Sequence, residues 1–110
     1  MIKDKVLSLL SIAQKAGKIK SGSFQTDEAV KGGKARLVLV AGDASDNSKK
    51  DIFNMCSFYK VSCYEYSDKD NLGRAIGKEE RTSVTVCDEG FARSLEKLLN
   101  ECSEQGKVSG

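Results

Sequence analysis

Residues 35–41 read Ala35-Arg36-Leu37-Val38-Leu39-Val40-Ala41, and the fold follows from how this run is taken. It is apolar, rich in β-branched residues and continuous rather than alternating. Such a run suits a strand buried on both faces, at the centre of a sheet covered by helices on either side. It is far shorter than the roughly 20 apolar residues of a membrane span. No other stretch of the 110 residues is longer, so no membrane-spanning segment is expected.

Working back towards the N-terminus, Gly32-Gly33 ends a helix that Ser23 can cap and that runs to about Lys31. Before it, Lys18-Ile19-Lys20-Ser21-Gly22-Ser23 is a short basic segment, an edge strand or a loop. Residues 4–16 place Val6, Leu7, Leu9, Leu10 and Ala13 at helical spacing, with Gly17 where the helix would stop and Lys15 suited to its last turn.

Working forward, Ser45 or Asp46 starts a helix to about Phe58, anchored by Ile52, Phe53, Met55 and Cys56. Residues 61–66 read as a second strand. Ser67 or Asp68 opens a short helix with Leu72, Ala75 and Ile76, stopped by Gly77. Residues 82–87 form a third full strand. Asp88 caps a last helix with Phe91, Leu95, Leu98 and Leu99 on one face. Strands alternating with helices predict a single α/β sandwich domain over residues 1–102. The polar, glycine-containing residues 103–110 are expected to form a flexible tail.

Composition excludes several functions. The chain has no histidine, so no histidine-based triad and no imidazole acid or base. Neither nucleotide-binding glycine fingerprint is present. Asp43 and Asp88 follow strands, and read better as turn and capping residues than as catalytic ones. The four cysteines, Cys56, Cys63, Cys87 and Cys102, lack C-x-x-C spacing, so they read as small hydrophobes of a reducing compartment rather than metal ligands or disulfides. No signal peptide is expected, because Asp4 interrupts the N-terminus and no cleavage-type site follows. The sequence therefore predicts a cytoplasmic protein that is not an enzyme, needs no cofactor or metal, and is by default a monomer.

The charge is uneven. Residues 1–40 hold eight Lys or Arg against three acids, while the other 70 hold ten against thirteen. A basic N-terminal third hints at an anionic partner. Two stretches combine glycine with basic or amide side chains. Lys18 to Thr26 is a basic segment running into a helix N-terminus, where backbone N–H groups favour phosphate. Leu72-Gly73-Arg74-Ala75-Ile76-Gly77 forms a small-residue helix, followed by the charged loop Lys78-Glu79-Glu80-Arg81.

These stretches carry a resemblance. Ala13-Gln14-Lys15-Ala16-Gly17-Lys18-Ile19-Lys20-Ser21-Gly22, then residues 34–45, then Asn71 to Arg81, then residues 84–92 occur in the order found in the YlxQ-type bacterial proteins. Those belong to the ribosomal protein L-seven-Ae and L-thirty-e superfamily. The resemblance spans residues 4–100, and its most specific pieces are Leu72 to Gly77 and Ala16 to Gly22. It implies a three-layer α-β-α sandwich with a mixed four-stranded sheet. It also implies binding of structured RNA, a kink-turn or related ribosomal RNA element, in association with the ribosome.

On that reading Lys15, Lys18, Lys20, Arg74, Lys78 and Arg81 hold phosphates, Gly22 permits close backbone approach, and Ser23, Gln25 and Thr26 supply polar contacts to base, sugar or phosphate. The chain departs from the family's kink-turn pattern. Phe24 stands where an asparagine is usual, Gln25 where a glutamate is, and Glu28 where a lysine is. The loop at residues 78–81 is charged where strong binders are apolar. An aromatic at 24 can stack on a base, but Glu28 repels phosphate. With Glu79 and Glu80, it motivates an alternative: a protein-interaction module of the transcription–translation machinery with weak or no RNA binding.

Overall fold

Asp4 begins the first helix. Its side chain accepts hydrogen bonds from the N–H groups of Val6 (2.8 Å) and Leu7 (3.1 Å). The computed structural model of the chain describes residues 4–101. Lys3, Cys102 and the tail expected at residues 103–110 lie outside the described residues. Helix α1 (Lys5–Lys15) buries Val6, Leu7, Leu10 and Ala13. After Gly17 the chain enters β1 (Ile19–Ser21), so the short basic segment is an edge strand. There follow α2 (Ser23–Lys31), β2 (Leu37–Val40), α3 (Asp46–Tyr59), β3 (Ser62–Glu65), α4 (Lys69–Ala75), β4 (Ser83–Val86) and α5 (Glu89–Glu101).

The capping residues act largely as the sequence predicts. Ser45 Oγ accepts the Ser48 N–H, Asp68 accepts the Asn71 N–H, and Asp88 accepts the Phe91 N–H at 2.9 Å. Ser23 is the exception. It is the first residue of α2, and the cap is Gly22 with no side-chain bond. The reason is backbone geometry. Gly22 has φ +90° as the chain turns sharply from β1 into α2, a conformation that side chains other than glycine's resist. Its carbonyl accepts the Thr26 N–H at 3.0 Å.

The sheet runs in the order β1-β4-β2-β3. β2 and β3 are parallel, and β4 is antiparallel to both β1 and β2, so the sheet is mixed. Helices α2 and α3 cover one face, while α1, α4 and α5 pack together on the other. The result is the three-layer α-β-α sandwich. β2 lies inside it with all four residues fully buried, as its unbroken apolar run requires. The centre of the core is Leu37, Leu39, Val84, Val86, Leu10, Leu72 and Leu95, each without exposed surface.

One side of β4 is polar. Ser83 and Thr85 point towards α2, where Thr26 meets both hydroxyls at 2.9 Å. All three residues have zero exposure, and their bonds to one another satisfy them inside the sandwich.

Candidate nucleic-acid interface

Two segments far apart in the chain meet at the end of the sheet where β1 gives way to α2. The first is the turn at Gly22, whose N–H donates to the Ser83 carbonyl at 3.1 Å. The second is the connection between α4 and β4. Gly77, at φ +71°, reverses the chain after α4, and the Gly73 carbonyl accepts the Lys78 N–H at 2.8 Å. The backbone of Glu79 then lies directly against Gly73, where no side chain fits. This explains the small-residue helix of the sequence. Gly73 is the seat on which residues 78–81 are folded down.

Arg81 joins the two segments. Its N–H donates to the Lys69 carbonyl (3.1 Å) and its Nη1 to the Glu80 carbonyl (2.9 Å). Its Nε donates to Ser21 Oγ at 3.1 Å, across 60 residues of chain. The guanidinium keeps further donors for a phosphate or a base. On the other side of the turn, Gln25 Oε1 accepts the Ser21 N–H at 3.3 Å. That bond fixes which amide atom faces the backbone, and leaves the NH2 as a donor for a ligand.

Ser23, Phe24 and Glu28, on the first turns of α2, and Lys78, in the loop before Arg81, are all exposed. Phe24 is 75% exposed, with its ring in solvent at the first turn of α2. The surface therefore offers an amide, a guanidinium, an ammonium, an aromatic ring and a tight glycine turn. It offers no nucleophile–base pair and no imidazole. Its chemistry is that of holding a polar anionic partner.

The predicted residues divide into four sets. Gly22, Ser23, Gln25 and Arg81 come together at this end, and Lys78 starts the loop that leads to Arg81. Arg74 is exposed on the outer side of α4 and bridges to Asp70 at 3.1 Å. Lys15 ends α1, Lys18 lies just before β1, and Lys20 is the middle residue of β1. Thr26 is a correction. It was expected to touch base or sugar, but its side chain is fully buried and its hydroxyl is spent on Ser83 and Thr85. Helical geometry explains this, since residue 26 faces the sheet when 23, 24 and 25 face solvent.

The sequence reading also missed two residues as a site. Lys34 and Arg36 were counted in the basic third but assigned no place. In the structure they stand with Lys20 around Cys87. Burial pushes the Cys87 thiol up, and the three cations oppose that shift. Of the other cysteines, Cys56 is buried and Cys63 half-buried, both free thiols.

The sequence profile of the ribosomal protein L7Ae/L30e/S12e/Gadd45 family matches residues 4–96. The chain belongs to this family. Among curated relatives, the RNA-binding protein YlxQ of Bacillus subtilis is 40% identical over 92 residues, covering 84% of this chain and 92% of the relative. Among solved structures, a Bacillus halodurans protein described as of unknown function is 37% identical with a TM-score of 0.86, covering 89% of this chain and 99% of its own. The Giardia lamblia 15.5kD RNA-binding protein superposes with a TM-score of 0.73 over 87% of this chain and 82% of its own. At 22% identity, that match speaks to the L7Ae-type fold alone. The YlxQ-type resemblance read from Ala16 to Gly22 and Leu72 to Gly77 is thus matched by curated relatives of that name. No helix among the described residues is long and apolar enough to cross a membrane.

Proposed function

We propose that this protein is a non-catalytic RNA-binding protein that recognises structured RNA, a kink-turn or a related ribosomal RNA element. In this reading it is cytoplasmic, acts as a monomer and works in association with the ribosome. The observation that carries the proposal is the Arg81–Ser21 bond. It joins the loop after the Leu72–Gly77 helix to the Gly22 turn, so that two unconnected segments form one exposed surface. The name of the B. subtilis relative supports RNA as the partner. Recognition by shape, backbone and an unstacked base suits a surface with one aromatic ring and few base-reading groups.

The test is titration of the purified protein against a kink-turn RNA and a straight duplex, near physiological salt with magnesium. Preference for the kink-turn means that Gln25, Arg81 and the glycine turn compensate for Phe24 and Glu28. Equal, salt-sensitive binding to both means generic phosphate contact. Absence of binding to either overturns the proposal and favours the protein-interaction alternative, for which the exposed Glu28, Glu79 and Glu80 are the motive.

A further inference from the structure

The far end of the β1–β4 ladder gathers a second set of cations. The Cys87 N–H donates to the Lys18 carbonyl and the Arg36 N–H to the Val86 carbonyl, both at 2.8 Å. Lys18, Arg36 and Cys87 therefore meet where β1 and β2 flank the end of β4. Gly33, at φ +76°, turns the chain after α2, and the Lys34 N–H donates to the Ala29 carbonyl at 2.9 Å. Arg36 Nη1 is anchored on the Gly33 carbonyl at 3.1 Å. Lys20 stands opposite Thr85 in the β1–β4 register, so it projects on the α2 side as well.

Lys18, Lys20, Lys34 and Arg36 are exposed, and none forms an ion pair among the described residues. Among the described residues only Lys31, Lys49, Arg74 and Arg93 bridge to a carboxylate, so what distinguishes Lys18, Lys20, Lys34 and Arg36 is that they are clustered as well as unpaired. Asp88, which follows Cys87 in the chain, accepts the Phe91 N–H as the cap of α5. Four like charges are thus held together by strand and turn backbone without internal compensation, an arrangement that a polyanion stabilises.

We propose that this end of the sheet is a second phosphate-binding surface for the same RNA, which runs along the β1 edge from Gly22 to Cys87. The inference rests on the RNA-binding reading above and adds a surface to it. The three residues of β1 span roughly 10 Å, so a single stem reaches both ends.

The experiment uses the full chain and two variants, with a kink-turn RNA carrying either a long or a truncated stem. One variant is Lys18→Gln with Lys34→Gln, whose side chains make no hydrogen bond among the described residues. The other is Gln25→Ala with Arg81→Ala, at the Gly22 end. Urea unfolding first checks that each variant folds. The lysine variant is expected to lose about tenfold in affinity for the long-stem RNA, and to lower the slope of log K against log salt by about 1.5. It is expected to bind the truncated RNA as wild type does. An unchanged salt slope in the lysine variant, with wild type binding and the Gly22-end variant impaired, overturns the second surface alone. Failure of wild type to bind any of these RNAs overturns the RNA-binding reading, and this inference with it.

Discussion

The backbone carbonyl of Glu79 packs onto the α-carbon of Gly73, in the space that a side chain at position 73 would need. The close approach lets the α4–β4 connection fold down on α4 and carry Arg81 to Ser21. Replacing Gly73 by alanine must displace backbone, not a flexible side chain. Gly73→Ala is expected to cost about 3 kcal/mol or more, read as a shift of the urea midpoint. Gly77→Ala tests the argument by contrast. A Cβ there meets only open space, and the cost is that of the left-handed backbone, roughly 1–2 kcal/mol.

Thr26 makes its contribution from inside. Thr26→Val keeps the shape but leaves Ser83 and Thr85 without their shared partner in a buried site. The expected loss of stability is about 1–3 kcal/mol. RNA affinity per folded molecule is expected to stay the same. A large affinity loss in a fully folded Thr26→Val protein would show that residue 26 reaches the ligand after all.

Asp4 ties the start of α1 to the segment after β3. Besides capping α1, its carboxylate accepts the Tyr66 hydroxyl at 2.5 Å. Asp4→Ala is expected to destabilise by about 1–2 kcal/mol through the lost cap. In a double-mutant cycle with Tyr66→Phe, the two changes are expected to be non-additive by about 0.5 kcal/mol or more. Strict additivity would mean that the Asp4–Tyr66 bond contributes nothing.

Tyr64 gives a pH dependence. Burial, with the Glu96 carboxylate beside it, pushes its hydroxyl up to about 12 from an ordinary value of 10.0. The folded state therefore holds this proton more tightly than the unfolded chain does. The corresponding stabilisation is complete below pH 10 and is lost as pH rises towards 12. Unfolding midpoints measured across that window are expected to fall more steeply for wild type than for Tyr64→Phe.

Arg74 is highly exposed and paired with Asp70, an exposed i,i+4 bridge on α4. Its removal is expected to change stability by less than about 0.5 kcal/mol. If it also holds a phosphate, Arg74→Ala lowers the salt slope of RNA binding by about 1 and weakens binding to all sequences alike. Unaltered RNA binding would remove α4 from the contact surface.

Much of this fold is legible one segment at a time. The apolar run of β2, the Ser45, Asp68 and Asp88 caps, and the glycine stops after α1, α2 and α4 depend on residues within a turn or two of one another. Such signals are local, and the sequence displays them directly. Ser23 shows the limit. A serine before a helix suggests a cap, but the tight exit from β1 demands a positive φ, and Gly22 takes the position.

The candidate site was legible only in part. Gly22, Gln25, Lys78 and Arg81 stand out as polar or glycine residues near helix ends. Nothing in their spacing says that residue 81 bonds residue 21, since that depends on β4 lying beside β1 in the sheet. Nor does spacing say that Thr26 turns inward onto β4.

The sequence by itself determined the order of every element except β1, the central place of β2 and the absence of histidine chemistry, because period, capping and composition are properties of contiguous chain. Only the tertiary structure decided which cations share a surface. The β1-β4-β2-β3 order divides the basic N-terminal third between two ends of one sheet. It carries Lys18, Lys34 and Arg36 to Cys87, and Ser21 and Gly22 to Arg81. Contacts between distant segments are set by how strands pair and layers pack, and charge patterning along the chain contains no record of that pairing.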